Sequence, residues 1–139
     1  MDTNVLVGAV HRRGGASRRV ILACLRGDYR PVLSAALFME YEDVFGRPAL
    51  WKKSLLDEKG RLAVFDAFLA SAAWTEVYFL WRPNLRDEGD NFIIETAVAG
   101  GATAIVTRDV RDLRSGKLRF PDLAILTPEQ LLERFPCRP

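Results

Sequence analysis

A chain of 139 residues with 49% hydrophobic content has the size of one ordinary domain and can bury a single core. Its net charge of +2 does not by itself name a nucleic-acid partner; 16 Arg among 20 basic residues favour phosphate contacts, but an Arg-favouring genome explains the bias equally well. No apolar run approaches the roughly 20 residues that span a bilayer, and the amino end lacks a leader-like pattern, so the expectation is one cytoplasmic domain over residues 1–139 with no membrane partner.

In chain order, residues 3–7 form a short β-capable run that leads into a Gly14-Gly15 loop. Ser17 then reads as a helix cap, and Val20, Ile21, Cys24 and Leu25 mark one face of a helix stopping near Gly27. A short strand is expected at residues 31–33. From Ser34 onward Leu37, Phe38, Tyr41, Val44 and Phe45 repeat at helical spacing, closed by Gly46 and Pro48, which predicts an amphipathic helix. A further helix is expected over 62–72, a strand over 75–79, and a polar loop from Pro83 carrying Asp87 and Asp90. The pattern ends with a helix over 90–99, a Gly100-Gly101 break, a buried strand over 103–107, a strand over 123–126, and a final helix. Thr127-Pro128-Glu129-Gln130 opens that helix with a capping box. Alternating strands and helices predict an α/β fold whose mainly parallel sheet is covered on both faces. In such sheets ligands bind beyond the carboxyl ends of the strands, so acids at those ends are the candidates for chemistry.

His11 is the only histidine, which removes mechanisms built on paired imidazoles and His-rich zinc sites. Cys24 lies in an apolar helical pattern and Cys137 in the tail, so neither belongs to a metal-like or redox-like pair. Catalysis, if present, therefore falls to carboxylates, hydroxyls or a metal that they hold. Asp2 opens the segment Asp2-Thr3-Asn4, where a solvated terminal acid and a turn-forming Asn are the plain reading. Glu40 and Glu42 flank the apolar stripe of their helix on opposite sides, and periodicity does not choose between them. Asp87 and Asp90 precede a helix, where an acid also serves as an ordinary cap. Thr107-Arg108-Asp109 ends a strand, with Asp112 close behind.

Taken together, Asp2-Thr3-Asn4, Glu40-Tyr41, Asp90 ahead of a small-residue helix, and Thr107-Arg108-Asp109 resemble the PIN family across nearly the whole chain. The resemblance is strongest to the toxin components of bacterial type II toxin-antitoxin pairs. It implies a three-layer α/β/α sandwich and a hydrolase that cleaves RNA phosphodiester bonds with Mg²⁺ or Mn²⁺. On that resemblance Asp2, Glu40, Asp90 and Asp109 are the catalytic, metal-holding acids, Asn4 and Thr107 orient them, and Asp87 and Asp112 are possible additional participants. Asn4 as a turn residue and Thr107 as a β-branched strand end are the competing readings. RNA is the implied substrate, a protein antitoxin the implied partner, and self-association is left open. The family pattern carries an apolar strand before its first Asp, whereas here Met1 alone precedes Asp2; either the start is assigned too late or strand one is almost missing, and in the second case the first metal ligand hangs on a frayed terminus and activity suffers more than the fold.

Other functions compete less well. An aspartyl-phosphate phosphatase also begins with a strand-end Asp, but its pattern wants a second Asp where this chain has Asn4. No Gly-x-Gly-x-x-Gly follows a strand, which leaves a dinucleotide enzyme without support. A non-catalytic PIN-like module that binds RNA or protein is the main alternative.

Overall fold

The computed structural model describes residues 1–11, 15–77, 88–115 and 120–138, with the backbone alone at 88–90. Burial, rather than β-branching, decides the first element. Val5, Leu6, Ala9 and Val10 are all buried at helical spacing, and the segment forms helix α1 (Thr3–His11) instead of the expected strand over 3–7. Local β preference is weak beside such packing. Helix α2 (Ala16–Arg26) starts one residue before Ser17, which is buried inside the helix and caps nothing; Gly15 holds the N-cap position. At its other end Gly27 adopts φ 86°, and its N–H closes back on the carbonyls of Ala23 and Cys24. Val20, Ile21 and Cys24 are buried as expected, while Leu25 stands at the margin, 36% exposed.

Strand β1 (Val32–Leu33) leads to Ser34, whose hydroxyl accepts the Leu37 N–H and starts α3 (Ala35–Phe45). A 3-10 turn, Pro48–Trp51, follows, and the Trp51 indole N–H donates to the Phe45 carbonyl. Helix α4 (Glu58–Ser71) begins earlier than the expected residue 62, because Asp57 caps it by accepting the Gly60 N–H at 2.7 Å. Strand β2 (Ala73–Trp74) lies ahead of the expected 75–79 run. Its place is fixed by β1, since Ala73 N–H donates to Pro31 O and Thr75 N–H to Leu33 O. Residues 78–87, with the rest of that run and the Pro83 loop including Asp87, lie outside the described residues.

Helix α5 (Glu88–Ala99) ends at the expected Gly pair and feeds β3 (Ala104–Val106). A short helix α6 (Val110–Arg114), not anticipated, follows Asp109. Strand β4 (Ala124–Leu126) then leads to α7 (Pro128–Arg134), where Thr127 and Gln130 form the expected capping box. β1 pairs with β2 and β3 with β4, both in parallel, which makes the fold α/β. Adjacent side chains of β3 point to opposite faces. Ile105 packs into the cluster holding Ile93, Ile94 and Leu113 of α5 and α6, whereas Val106 joins Val5, Val20 and Leu131 of α1, α2 and α7. Helices therefore cover both faces of the β3–β4 pair. Phe68, Tyr41, Leu33 and Leu37 fill the core beside β1.

The junction of α5 and β1 is unusually tight. A Cβ placed on Gly100 would sit 2.2 Å from Val32 Cγ1 and 3.3 Å from the Thr96 carbonyl oxygen. Gly100→Ala should therefore destabilise the protein by about 1–3 kcal/mol through overpacking. Urea unfolding with an unchanged midpoint would refute that close approach.

Candidate metal centre

Two distant parts of the chain are stitched together at the carboxyl edge of β3. The Asp2 N–H donates to the Val106 carbonyl at 2.8 Å, which sets residue 2 beside the end of that strand. β3 leaves the sheet through Thr107, Arg108 and Asp109, so Asp2 and Asp109 meet although 107 positions separate them.

Thr107 is wholly buried and links the two acids. Its hydroxyl donates to Asp2 Oδ2 at 2.6 Å and accepts the Asp109 N–H at 2.9 Å. Asn4 makes a second link from the first turn of α1. Its Nδ2 donates to Asp109 Oδ2 at 3.1 Å and its Oδ1 accepts the Arg108 N–H at 3.2 Å. Thr3 Oγ1 adds a 3.3 Å contact to Asp2 Oδ1. Asp2 is 7% exposed, while Asp109 is exposed and makes no capping bond to α6. Thus Asn4 and Thr107 spend their polar atoms on the two acids and on the backbone beside Asp109.

The neighbouring cation is turned elsewhere. Arg108 Nη1 donates to both carboxylate oxygens of Glu129, at 2.6 and 2.8 Å, and its Nη2 reaches Ser17 Oγ at 2.9 Å. This pairing holds the Glu129 carboxyl below its usual pKa range. Among the described residues, no Lys or Arg forms an ion pair with Asp2 or Asp109. The Met1 amine is the charge that acts on Asp2 from beside it, and among the described residues no side-chain cation neutralises either acid.

Tyr41 anchors the same corner from α3 by donating its hydroxyl to the Met1 carbonyl. Burial above all, then the charges of Asp2, Cys24 and Glu40, pushes its pKa well above the ordinary value. Asp2 and the half-buried Glu40 thus lie within electrostatic reach of one phenol. Asp90 has its backbone in the first turn of α5, and its side chain is outside the described residues. Asp112 is exposed on α6. Among the described residues, no three of His, Cys, Asp and Glu gather closely enough to hold a metal ion. The described part of the candidate site is the Asp2–Thr107–Asp109–Asn4 network, and the structure does not gather Glu40 with Asp2 and Asp109 into one cluster.

The donors fit a hard divalent cation by chemistry. They are the carboxylate oxygens of Asp2 and Asp109, without a thiol or imidazole, the oxygen type that Mg²⁺ and Mn²⁺ prefer.

Some polar groups escaped the sequence reading. Ser34 follows β1 much as Thr107 follows β3, and its hydroxyl is 2.6 Å from Thr96 Oγ1 of α5. Asn91 and Glu95, one turn apart on α5, are 3% and 2% exposed. Glu95 had a readable signal, since it falls among the apolar positions Ile94 and Ala97, where a carboxylate is uncommon. Tyr41 was read as part of the helix stripe and of the Glu40-Tyr41 pair, but its hydroxyl's bond to Met1 had no signal because it works across the fold.

No helix among the described residues is long and apolar enough to cross a membrane. Comparison with curated proteins and with solved structures gave no match. The family model described as the PIN domain matches residues 1–111, a span that takes in Asp2, Asn4, Glu40, Asp90, Thr107 and Asp109. PIN domains have a nuclease-type fold and are generally metal-dependent ribonucleases. With that match covering most of its length, the chain belongs to the PIN domain family.

Proposed function

We propose that this PIN domain is a Mg²⁺- or Mn²⁺-dependent endoribonuclease acting as the toxin of a toxin-antitoxin pair. The observation that carries the catalytic reading is the buried Asp2 carboxylate, fixed by Thr107, joined through it to Asp109, and paired with no Lys or Arg among the described residues. In this reading Asp2 and Asp109 hold the metal together with Glu40 and Asp90, and Asp87 and Asp112 are additional candidates. The ion, when bound, would acidify a water and offset charge developing on the phosphate. Thr107 orients Asp2 and Asn4 orients Asp109 through one hydrogen bond each, the support that ligating acids receive from their neighbours. Arg108 stays on Glu129 and Ser17, where it does not compete for the acids.

Divalent ions that bind only the folded state raise its stability by mass action. Melting in millimolar Mg²⁺ or Mn²⁺ should therefore occur above melting in EDTA, and labelled RNA should be cut only with metal. Binding of RNA without cutting under every metal condition would favour the non-catalytic module. The toxin role rests on the family resemblance. Growth arrest on expression, relieved by the product of a neighbouring small gene, is its test; harmless expression speaks against it.

A further inference from the structure

Arg108 stands between Thr107 and Asp109, so its Cα lies about 3.8 Å from that of Asp109. Its backbone is pinned there, because the Arg108 N–H donates to Asn4 Oδ1 at 3.2 Å. Two partners of unlike kind hold its side chain. Ser17 of α2 is 4% exposed, and its Oγ accepts from Nη2 at 2.9 Å. Glu129 stands in the first turn of α7 with its side chain 58% exposed, and both of its oxygens accept from Nη1. The Ser17 contact is therefore a buried anchor, while the Glu129 contact is a surface ion pair that water and salt weaken. The Arg108 side chain is itself 41% exposed, so Nη1 meets solvent once Glu129 turns away.

A carboxylate and a phosphate diester each offer a guanidinium two anionic oxygens, and Arg binds both classes well. We propose that Arg108 binds an RNA backbone phosphate beside the one cut at the metal centre, an inference that rests on the ribonuclease reading. In the RNA-free protein Glu129 fills that place as an internal substitute for the phosphate. The need for such a cation follows from the site itself. Acids that hold a metal repel the other phosphates of the same strand, which that metal does not neutralise. Arg108 meets the need without leaving its position: Ser17 keeps Nη2, the Glu129 carboxylate swings into water, and the phosphate takes over Nη1. One anion replaces another on a guanidinium already held in place, so the exchange orders few new groups. A phosphate contact carries no base information, so Arg108 adds affinity and register for any sequence. Glu129, by competing for the same donor, sets how much of that affinity is realised.

The test measures binding of a fluorescein-labelled single-stranded RNA in EDTA over a range of KCl, and cleavage of the same RNA in Mn²⁺. Arg108→Ala should weaken binding by roughly tenfold, as for a hydrogen bond between charged groups, and lower the salt slope by about 0.7, the share of one phosphate on a single strand. In Mn²⁺ it should raise KM by a similar factor. Arg108→Gln should show the same loss, and it decides the matter if the alanine variant unfolds. Arg30→Ala removes an equal charge from an exposed residue ahead of β1 and should do neither. Glu129→Gln should tighten binding by about 2–5-fold, since the competing ion pair is a weak one, and Glu133→Gln one turn further along α7 by less. The gain from Glu129→Gln should vanish when Arg108→Ala is already present. A contact that merely ties α7 to α2 gives another pattern, in which Arg108→Ala and Glu129→Gln weaken binding together. That pattern, an unchanged salt slope in Arg108→Ala, or an equal gain from Glu129→Gln in both backgrounds would overturn the exchange. RNA cut by the parent and bound equally by all variants sinks the exchange alone. RNA bound with the expected signs but cut in no metal upholds the exchange and sinks the ribonuclease reading instead.

Discussion

Asp109→Asn should abolish metal-dependent RNA cleavage, with a loss of at least about 100-fold, the upper end for removing a group that merely supports a ligand. The fold should survive it. Asp109 is exposed and caps nothing, and an amide oxygen in its place still accepts from Asn4 Nδ2. Stability should therefore stay within roughly 0.5 kcal/mol of the parent, as for surface changes generally. Asp112 makes the comparison sharp, being exposed three residues further along on α6. Asp112→Asn should retain most of the activity. The same contrast is expected between Asp90→Asn, at the start of α5, and Asp87→Asn in the preceding segment, with only the first abolishing cleavage. Cleavage and melting curves measured on all four variants decide the assignment. Full activity in Asp109→Asn, or equal losses in Asp109→Asn and Asp112→Asn, would remove Asp109 from the metal centre.

The contrast between Asp109 and Asp112 also shows how far the sequence carries. Elements closed by local chemistry were readable: Gly27 ending α2 and the Thr127–Gln130 box opening α7 both act within a few residues of themselves. α1 was misread because Thr3, Val5 and Val7 alternate as a strand would, while the deciding fact is that residues 5, 6, 9 and 10 find apolar neighbours. β2 was displaced because strand pairing with Pro31 and Leu33, rather than the β-rich composition of residues 75–79, fixes its position. At the site, position made acids at strand and helix ends candidates, and it was the resemblance to the PIN family that singled out Asp2 and Asp109. Their linkage through Thr107 was invisible, since it depends on residue 2 being hydrogen bonded to residue 106. The Arg108–Glu129 pair was equally hidden, because nothing in either short motif says that a cation next to Asp109 will be drawn off by α7.

Thr107→Val isolates what that hidden linkage contributes. Valine keeps the β-branched shape of a residue with no solvent exposure, so packing changes little and the hydroxyl alone is lost. Two groups then lose their partner: Asp2 Oδ2, which accepted at 2.6 Å, and the Asp109 N–H, which donated at 2.9 Å. Leaving a buried acceptor unsatisfied costs about 1–3 kcal/mol, and more when it is charged. For a chain of this size each kcal/mol lowers the melting temperature by roughly 3–5 °C, so a fall of several degrees is expected without metal. Asp2 also loses the bond that orients it, and the metal concentration for half-maximal cleavage should rise by roughly 10–100-fold, the usual effect of losing a ligand's supporting hydrogen bond. Thr107→Ser restores the hydroxyl and should recover most of the metal affinity, although the missing methyl still costs some stability. That separation distinguishes positioning from packing. If Thr107→Ser and Thr107→Val bind metal equally poorly, the methyl rather than the hydroxyl matters, and Thr107 is a core residue that happens to touch Asp2. If Thr107→Val melts several degrees lower yet needs no more metal than the parent, Thr107 steadies the fold, and the orientation of Asp2 does not depend on it.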